Sequence, residues 1–284
     1  MSGFTPEWLA LREAADQAAR APSVLEAVRT AFSDVPRCHV WDLGAGTGAS
    51  VRAFAEFLPR EQHWTLVDHD PANLTAAGPA LEAWAETNAQ DNAALMLRKD
   101  GRRLFVRQRT ADLSQLPAGV VPWDEDSPDL VTASALLDLT SADWIEAFAE
   151  ACVAGRSAVL ATLTFDGQLD FSPAHEDDAA VRDAFSVHQR GDKGFGPALG
   201  PDATAALAAA LEKRGYHVVT AESPWRLDGD DGQLLAALVE GIAEAVAETD
   251  RLPQSRLAVW RDQRMTRLDS LVVGHEDLFS YLPA

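Results

Sequence analysis

The chain has 284 residues, 47% of them apolar, enough for one large α/β core. Against 44 Asp and Glu stand 24 Lys and Arg, a formal charge of -20 that repels a phosphate backbone and argues against nucleic acid as a partner. No apolar run approaches the roughly 18 residues of a membrane span. The start Met1-Ser2-Gly3-Phe4 is no basic-then-apolar leader, and Cys38 and Cys152 have neither disulfide-framework nor metal-ligand spacing; a cytoplasmic protein that needs no metal is expected.

Two helices come first: Trp8, Leu9, Leu11, Ala15 and Ala18 recur near the helical period, and Pro22-Ser23 opens a second helix through Phe32. Residues 1–36 are therefore expected to pack as helices on a domain spanning 37–284. Cys38-His39-Val40-Trp41 reads as a strand, followed by a glycine turn and a helix from Ser50 to Leu58. Trp64 to Val67 is a second strand ending at Asp68, and Pro71 opens a helix to about Glu86. The polar span Thr87 to Asp100 is expected to be loop. Strands follow at Leu104 to Arg109, Asp129 to Ala133 and Ala158 to Leu163, with a helix from Ala142 to Val153 between the last two. This alternation predicts a doubly wound, mainly parallel sheet with right-handed crossovers. From Phe165 to Pro201 the periodicity fails, which predicts a lid or substrate loop. A helix from Asp202 to Lys213, a strand from Tyr216 to Thr220, helices over Asp231 to Glu248 and Ser255 to Arg267, and a strand from Ser270 to Gly274 complete the chain. The two helices form an insertion at about 228–269.

A glycine-rich turn between a first strand and its helix lets backbone approach a ligand and offers free amides at a helix N-terminus. Here it is Asp42-Leu43-Gly44-Ala45-Gly46-Thr47-Gly48. Gly44, Gly46 and Ala49 also satisfy a relaxed dinucleotide pattern, so a nicotinamide-dependent oxidoreductase competes for the same turn. Three carboxylates weigh against it. Asp42 precedes the first glycine, where it would repel a pyrophosphate and attract an ammonium-bearing ligand. Asp68 ends strand two, placed for ribose hydroxyls, with Asp70 close enough to share that role. Asp112 follows strand three, placed for an adenine amine or, alternatively, as a turn cap. No Tyr and Lys pair suited to hydride-transfer chemistry is evident.

Val40 to Gly48, Leu66-Val67-Asp68, Ala111-Asp112-Leu113 and Asp129-Leu130-Val131 together resemble the strand-end motifs of class I S-adenosylmethionine-dependent methyltransferases. The resemblance covers about Arg37 to Leu163, and the strands near Tyr216 and Leu271 in outline. It implies a seven-stranded sheet with an antiparallel last strand and S-adenosylmethionine as cofactor. Gly44 and Gly46 would face the methionine part, Asp68 the ribose and Asp112 the adenine; Asp42, Ala45, His69, Leu113 and Ser134 complete the expected contacts. The sequence departs from the family where Leu227 to Asp269 inserts two helices in place of a tight hairpin.

Methyl transfer is an in-line displacement, so the protein mainly positions its substrates, with a base only for a protonated acceptor. Thr132 to Asp138 lacks the Asn-Pro-Pro or Pro-Cys element of base-modifying relatives, which points to a small-molecule acceptor. His188, on a glycine-flanked loop with His175, Gln189, Lys193, Phe195 and Pro197, is the preferred general base, and Asp138 the second catalytic candidate. Their plain alternatives are a solvated loop histidine and a capping acid. His175 beside Glu176, Asp177 and Asp178 reads as a solvated helix start, and Arg251, Arg256, Arg261, Arg264 and Arg267 as a solvated helix face. Trp8 and Trp144 read as core. A binding module that keeps the cofactor site without turnover is the non-enzymatic alternative.

Overall fold

The computed structural model describes residues 4–91, 94–118 and 127–283. Its sheet is built on Arg37–Leu43 (β1), whose buried Cys38, Val40, Trp41 and Leu43 leave no face in water. Such two-sided burial belongs to parallel strands covered by helices. Glu61–Asp68 (β2) follows, then Thr87–Asp91 (β3), Ala94–Lys99 (β4), Arg102–Thr110 (β5), Leu130–Ser134 (β6), Ala158–Ser172 (β7), His217–Glu222 (β8), Trp225–Leu227 (β9) and Ser270–Tyr281 (β10). The order across the sheet is β3-β4-β5-β2-β1-β6-β7-β10-β8, with β9 paired to β10. Strands β5, β2, β1, β6 and β7 are parallel, and β10 runs antiparallel between β7 and β8.

Helices cover both faces. Pro6–Ala19 (α1) and Pro22–Ala31 (α2) precede β1; Ala49–Phe54 (α3), Pro71–Trp84 (α4), Ala142–Gly155 (α5), Asp178–Gln189 (α6), Ala203–Glu212 (α7), Gly232–Ala247 (α8) and Gln254–Arg267 (α9) follow. Val24 and Val28 of α2, Phe54 of α3 and Leu81 of α4 pack on Val40, Trp64, Leu66 and Leu104. On the other face Phe148 of α5 and Leu207 and Leu211 of α7 pack on Trp41, Val131 and Val159. A third core joins Phe165 and Phe171 of β7, Trp225 of β9 and Leu271 of β10 to α6, α8 and α9, with Trp8, Leu11 and Ala15 of α1 against it.

Three expectations are corrected. Among the described residues the sheet has ten strands rather than seven, because the span expected as loop over Thr87 to Asp100 forms the antiparallel pair β3 and β4 at the edge beyond β5, and the short β9 adds to β10. Asn92 and Ala93 of that span lie outside the described residues. An edge pair needs only a shallow apolar contact, and Leu97 is the fully buried side chain of β4. Second, the expected loop from Phe165 to Pro201 is largely strand and helix. Phe165, Leu169 and Phe171 alternate with Asp166, Gln168 and Asp170, which is the strand period. Gly167, at φ 96°, occupies an inward position of that alternation and hides it. Asp178, Val181 and Ala184 then give α6 its buried stripe. Third, the last strand runs to Tyr281 because Leu278 and Phe279 bury on opposite faces of the main sheet.

Of the acidic and basic runs expected to be solvated, Asp177, Asp178 and Arg264 are buried, whereas Glu176, Arg251, Arg256 and Arg267 are exposed as expected. Arg264 of α9 is 4% exposed and donates from Nη2 to both Asp178 oxygens, each at 2.5 Å. The Asp178 carboxylate also accepts from Trp260 Nε1 at 2.9 Å and from the His175 amide at 2.7 Å. Arg256 pairs with Asp177, and Arg261 with Asp262. Breaking one side of such a buried pair strands the other charge, so Asp178→Ala is expected to lower stability by about 3–5 kcal/mol. In urea unfolding, Asp178→Ala combined with Arg264→Ala should cost less than the two single losses summed.

Candidate functional site

Three glycines after β1 have left-handed backbone, with φ 67° at Gly44, 53° at Gly46 and 75° at Gly48, which caps α3. Side chains with a Cβ resist that geometry. The turn is tied to the end of β2. The Ala45 amide donates to Val67 O at 3.0 Å, and the Gly46 amide donates to Asp68 Oδ2 at 2.8 Å. The second oxygen of Asp68 accepts from the Asp70 amide at 2.9 Å, with His69 Nδ1 3.4 Å away. Asp70 itself caps α4 through the Ala72 amide at 2.8 Å.

Asp42 lies wholly inside, beneath the turn. Its Oδ1 accepts from Thr132 Oγ1 at 2.7 Å, while Oδ2 has no partner. Burial pushes the carboxyl up to about 7, against the pull of Thr132, Ser50 and Arg20. Asp112 is exposed. It accepts from the amide and hydroxyl of Ser114, at 2.9 and 2.7 Å, which together hold its carboxyl below the usual value; nearby His69 acts the same way. Leu113 is buried, its carbonyl accepting from Trp144 Nε1 at 2.8 Å.

Ser134, at the end of β6, accepts from Thr162 Oγ1 at 3.1 Å and from Arg20 at 3.4 Å. Arg20 was not legible as a site residue. It follows α1, is 7% exposed, donates to Thr162, and balances Asp277, Asp16 and Asp42 while burial pulls its own pKa down. Nothing in its local sequence separates it from a surface arginine.

The two residues expected as catalytic, Asp138 and His188, flank Lys193, whose charge acts on Asp138 and whose Nζ is 3.2 Å from His188 Nδ1. His188 is in the last turn of α6 rather than on a free loop, and its Nε2 is 3.2 Å from Glu248 Oε2. Both its nitrogens are therefore engaged. Asp138, in the 3-10 turn Leu137–Leu139, is 7% exposed, has an unpartnered Oδ1, and is pushed up to about 6 by burial. His275 on β10 was also missed. Its ring is 5.0 Å from that of Trp225, its Nδ1 has no partner, and burial holds its pKa down to about 3 with Arg12 adding to the effect.

α1 roofs the site. A Cβ on Gly46 would come within 2.7 Å of Leu9 Cδ1. Glu13 accepts from Arg52 at 2.6 Å, and Arg52 in turn donates to Thr47 O at 2.9 Å, clamping α1 to the turn. The Arg12–Asp16 pair, at 2.9 Å, is buried beside Trp225, whose Nε1 donates to Asp16 at 3.1 Å. Among the described residues no His, Cys, Asp and Glu group has metal-ligand geometry, and no helix is long and apolar enough to cross a membrane.

No protein-family model and no curated protein matches the sequence. Solved structures similar to it share few residues. The YcgJ protein of Bacillus subtilis is 12% identical, with a TM-score of 0.48, over 93% of this chain and 100% of that one. A putative methyltransferase of Bacillus halodurans is 14% identical, with a TM-score of 0.46, over 92% and 100%. An S-adenosylmethionine-dependent methyltransferase of Geobacter sulfurreducens, in complex with S-adenosylhomocysteine, is 15% identical, with a TM-score of 0.45, over 94% and 93%. The chain's own topology is more telling: five parallel strands wound both ways from β1, with the last strand antiparallel, make this the class I S-adenosylmethionine-dependent methyltransferase fold.

Proposed function

We propose that this chain is a methyltransferase that uses S-adenosylmethionine and acts on a small-molecule acceptor. The observation that carries the reading is the pairing of the left-handed glycine turn with two buried carboxylates, Asp42 and Asp68, one of which keeps an unpartnered oxygen. A buried carboxylate oxygen without a donor is costly unless a cation or donor arrives. A ligand with a positive sulfur and an ammonium group suits Asp42, and ribose hydroxyls suit Asp68. The residues present therefore fit the cofactor, and a pyrophosphate is disfavoured by the same charges.

When bound, S-adenosylmethionine supplies an electrophilic methyl group on a positively charged sulfur. The chain's own residues do the rest. Asp68 holds the ligand to the Gly46 turn, Arg20 balances the buried carboxylates, and α1 excludes water once Leu9 has made room above Gly46. For a protonated acceptor, Asp138 Oδ1 takes the proton. Its carboxyl is pushed up to about 6 and this oxygen has no partner, whereas both His188 nitrogens are occupied. The acceptor is a small molecule, in keeping with the acidic composition and with the aromatic rings of Phe165 and Trp225 against His275.

Calorimetric titration with S-adenosylhomocysteine tests the reading: saturable binding is expected, and no binding at tens of micromolar with NAD bound instead would overturn it. Asp68→Ala should weaken that binding about 10- to 100-fold, as for a lost charge-assisted hydrogen bond, while Asp138→Asn leaves it unchanged. With an acceptor found by screening metabolite pools with labelled cofactor, Asp138→Asn should lower turnover about 100-fold or more, and His188→Ala far less.

Asp42 adds a pH signature. Its folded-state pKa is raised, so the folded chain holds more protons than the unfolded one between about pH 4 and 7, and its contribution to stability is lost as pH rises through that window. Asp42→Asn should therefore match the wild type near pH 4 and exceed its ligand-free stability by about 1–3 kcal/mol at pH 8. A cationic ligand prefers the ionised carboxyl, so cofactor affinity should rise with pH through about 7 in the wild type and stay flat in Asp42→Asn.

A further inference from the structure

At the sheet edge opposite the glycine turn, a cleft of about 580 Å³ is lined by Pro36, Arg37, Arg60, Glu61, Arg98, Gly101 and Arg103. Four guanidinium groups meet there on a protein whose net charge is -20. The concentration follows from strand register. Arg37 of β1 lies opposite Glu61 of β2, Glu61 opposite Arg103 of β5, and Arg103 opposite Arg98 of β4. Residues directly opposite share a face, so one row across four strands carries three arginines and a single acid. From this row to Asp68 is the length of β2, about 23 Å at 3.3 Å per residue. The cleft is therefore separate from the cofactor site.

Among the described residues lining the cleft, Glu61 alone offsets this cluster, and only at Arg103. Glu61, the one carboxylate lining it, is already spent: Oε2 accepts from Arg103 at 2.5 Å and Oε1 is 3.5 Å from His63 Nε2. Arg37, Arg60 and Arg98 are exposed, and their guanidinium groups have no hydrogen-bond or ion-pair partner among the described residues. Like charges directly opposite on paired strands, as at Arg98 and Arg103, are destabilising. A folded protein keeps such an arrangement at a cost that an anion would offset.

We propose that this cleft binds a small molecule carrying two or more phosphate groups. Guanidinium forks match phosphate oxygens bidentately, and one phosphate engages about two forks, so three free arginines call for more than one phosphate. The volume lies in the range of small-ligand sites. A long polyanion is disfavoured, because beyond the cleft it would run over an acidic surface.

Calorimetric titration of the full chain with sodium tripolyphosphate tests the site, with orthophosphate, a long RNA and S-adenosylhomocysteine titrated in parallel. Saturable one-to-one binding of tripolyphosphate is expected, tighter than orthophosphate. Arg98→Gln should weaken it about tenfold and Arg60→Gln with Arg98→Gln about a hundredfold, each leaving S-adenosylhomocysteine affinity unchanged. The melting temperature of ligand-free Arg98→Gln should equal or exceed that of the wild type, since a like-charge contact is removed. No saturable binding at millimolar tripolyphosphate, equal affinity for orthophosphate, tighter binding of RNA, or binding indifferent to Arg98→Gln would each overturn the proposal, as would a lowered melting temperature for that variant.

Discussion

The hydrogen bond from the Gly46 amide to Asp68 organises the carboxyl edge of this sheet. It joins the turn after the central strand to the end of its neighbour, and so decides where the backbone amides of that turn point. The left-handed glycines make the turn possible, and Asp68 makes it singular. With its other oxygen occupied by the Asp70 amide, the carboxylate fixes the start of α4 as well. Two strand-to-helix connections thus share one anchor, and a ligand reaching Asp68 meets both.

Burial of charge is the recurring theme around that anchor. Asp16, Asp42, Asp138 and Asp277 are set against Arg12 and Arg20 under the roof of α1, and the balance is incomplete: Asp42, Asp138, Arg20 and His275 each retain an atom without a partner. Low-dielectric surroundings make such atoms expensive, and sites that must receive polar ligands are where proteins tolerate them. The acidity of Asp42 and Asp138 is weakened by the same burial, giving two carboxyls that change state near neutral pH in place of the histidines that usually do so.

Much of this was legible in the sequence, and the reasons differ by element. β1, the glycine turn and the Asp68 strand end are readable because a doubly buried strand, φ-permissive residues and a strand-terminal acid all lie within some thirty residues and reinforce one another. The β3 and β4 pair was hidden because an edge strand needs little apolar surface, and the outer half of β7 because Gly167 and its acidic neighbours imitate a loop. The buried polar cluster around His275 was least legible. Arg12, Arg20, Trp225 and His275 come together from α1, the residue that follows it, β9 and β10, far apart in the chain, and their local patterns are those of ordinary surface or core residues. His188 illustrates the converse: a residue type suited to catalysis, in a segment expected to be loop, proves to be held between Lys193 and Glu248.

Asp277 of β10 accepts from the Ala21 amide at the junction of α1 and α2, from the Leu163 amide in β7 and from Ser223 Oγ ahead of β9, at 2.9, 2.8 and 2.6 Å. Of the strands in this sheet β10 is the last to leave the ribosome, yet it is the one that slots between β7 and β8. Until it arrives, β7 presents an unpaired edge and the first helices lack this anchor at the sheet. A nascent chain lacking β10 must therefore carry an open, aggregation-prone edge and first helices without this tie to the sheet.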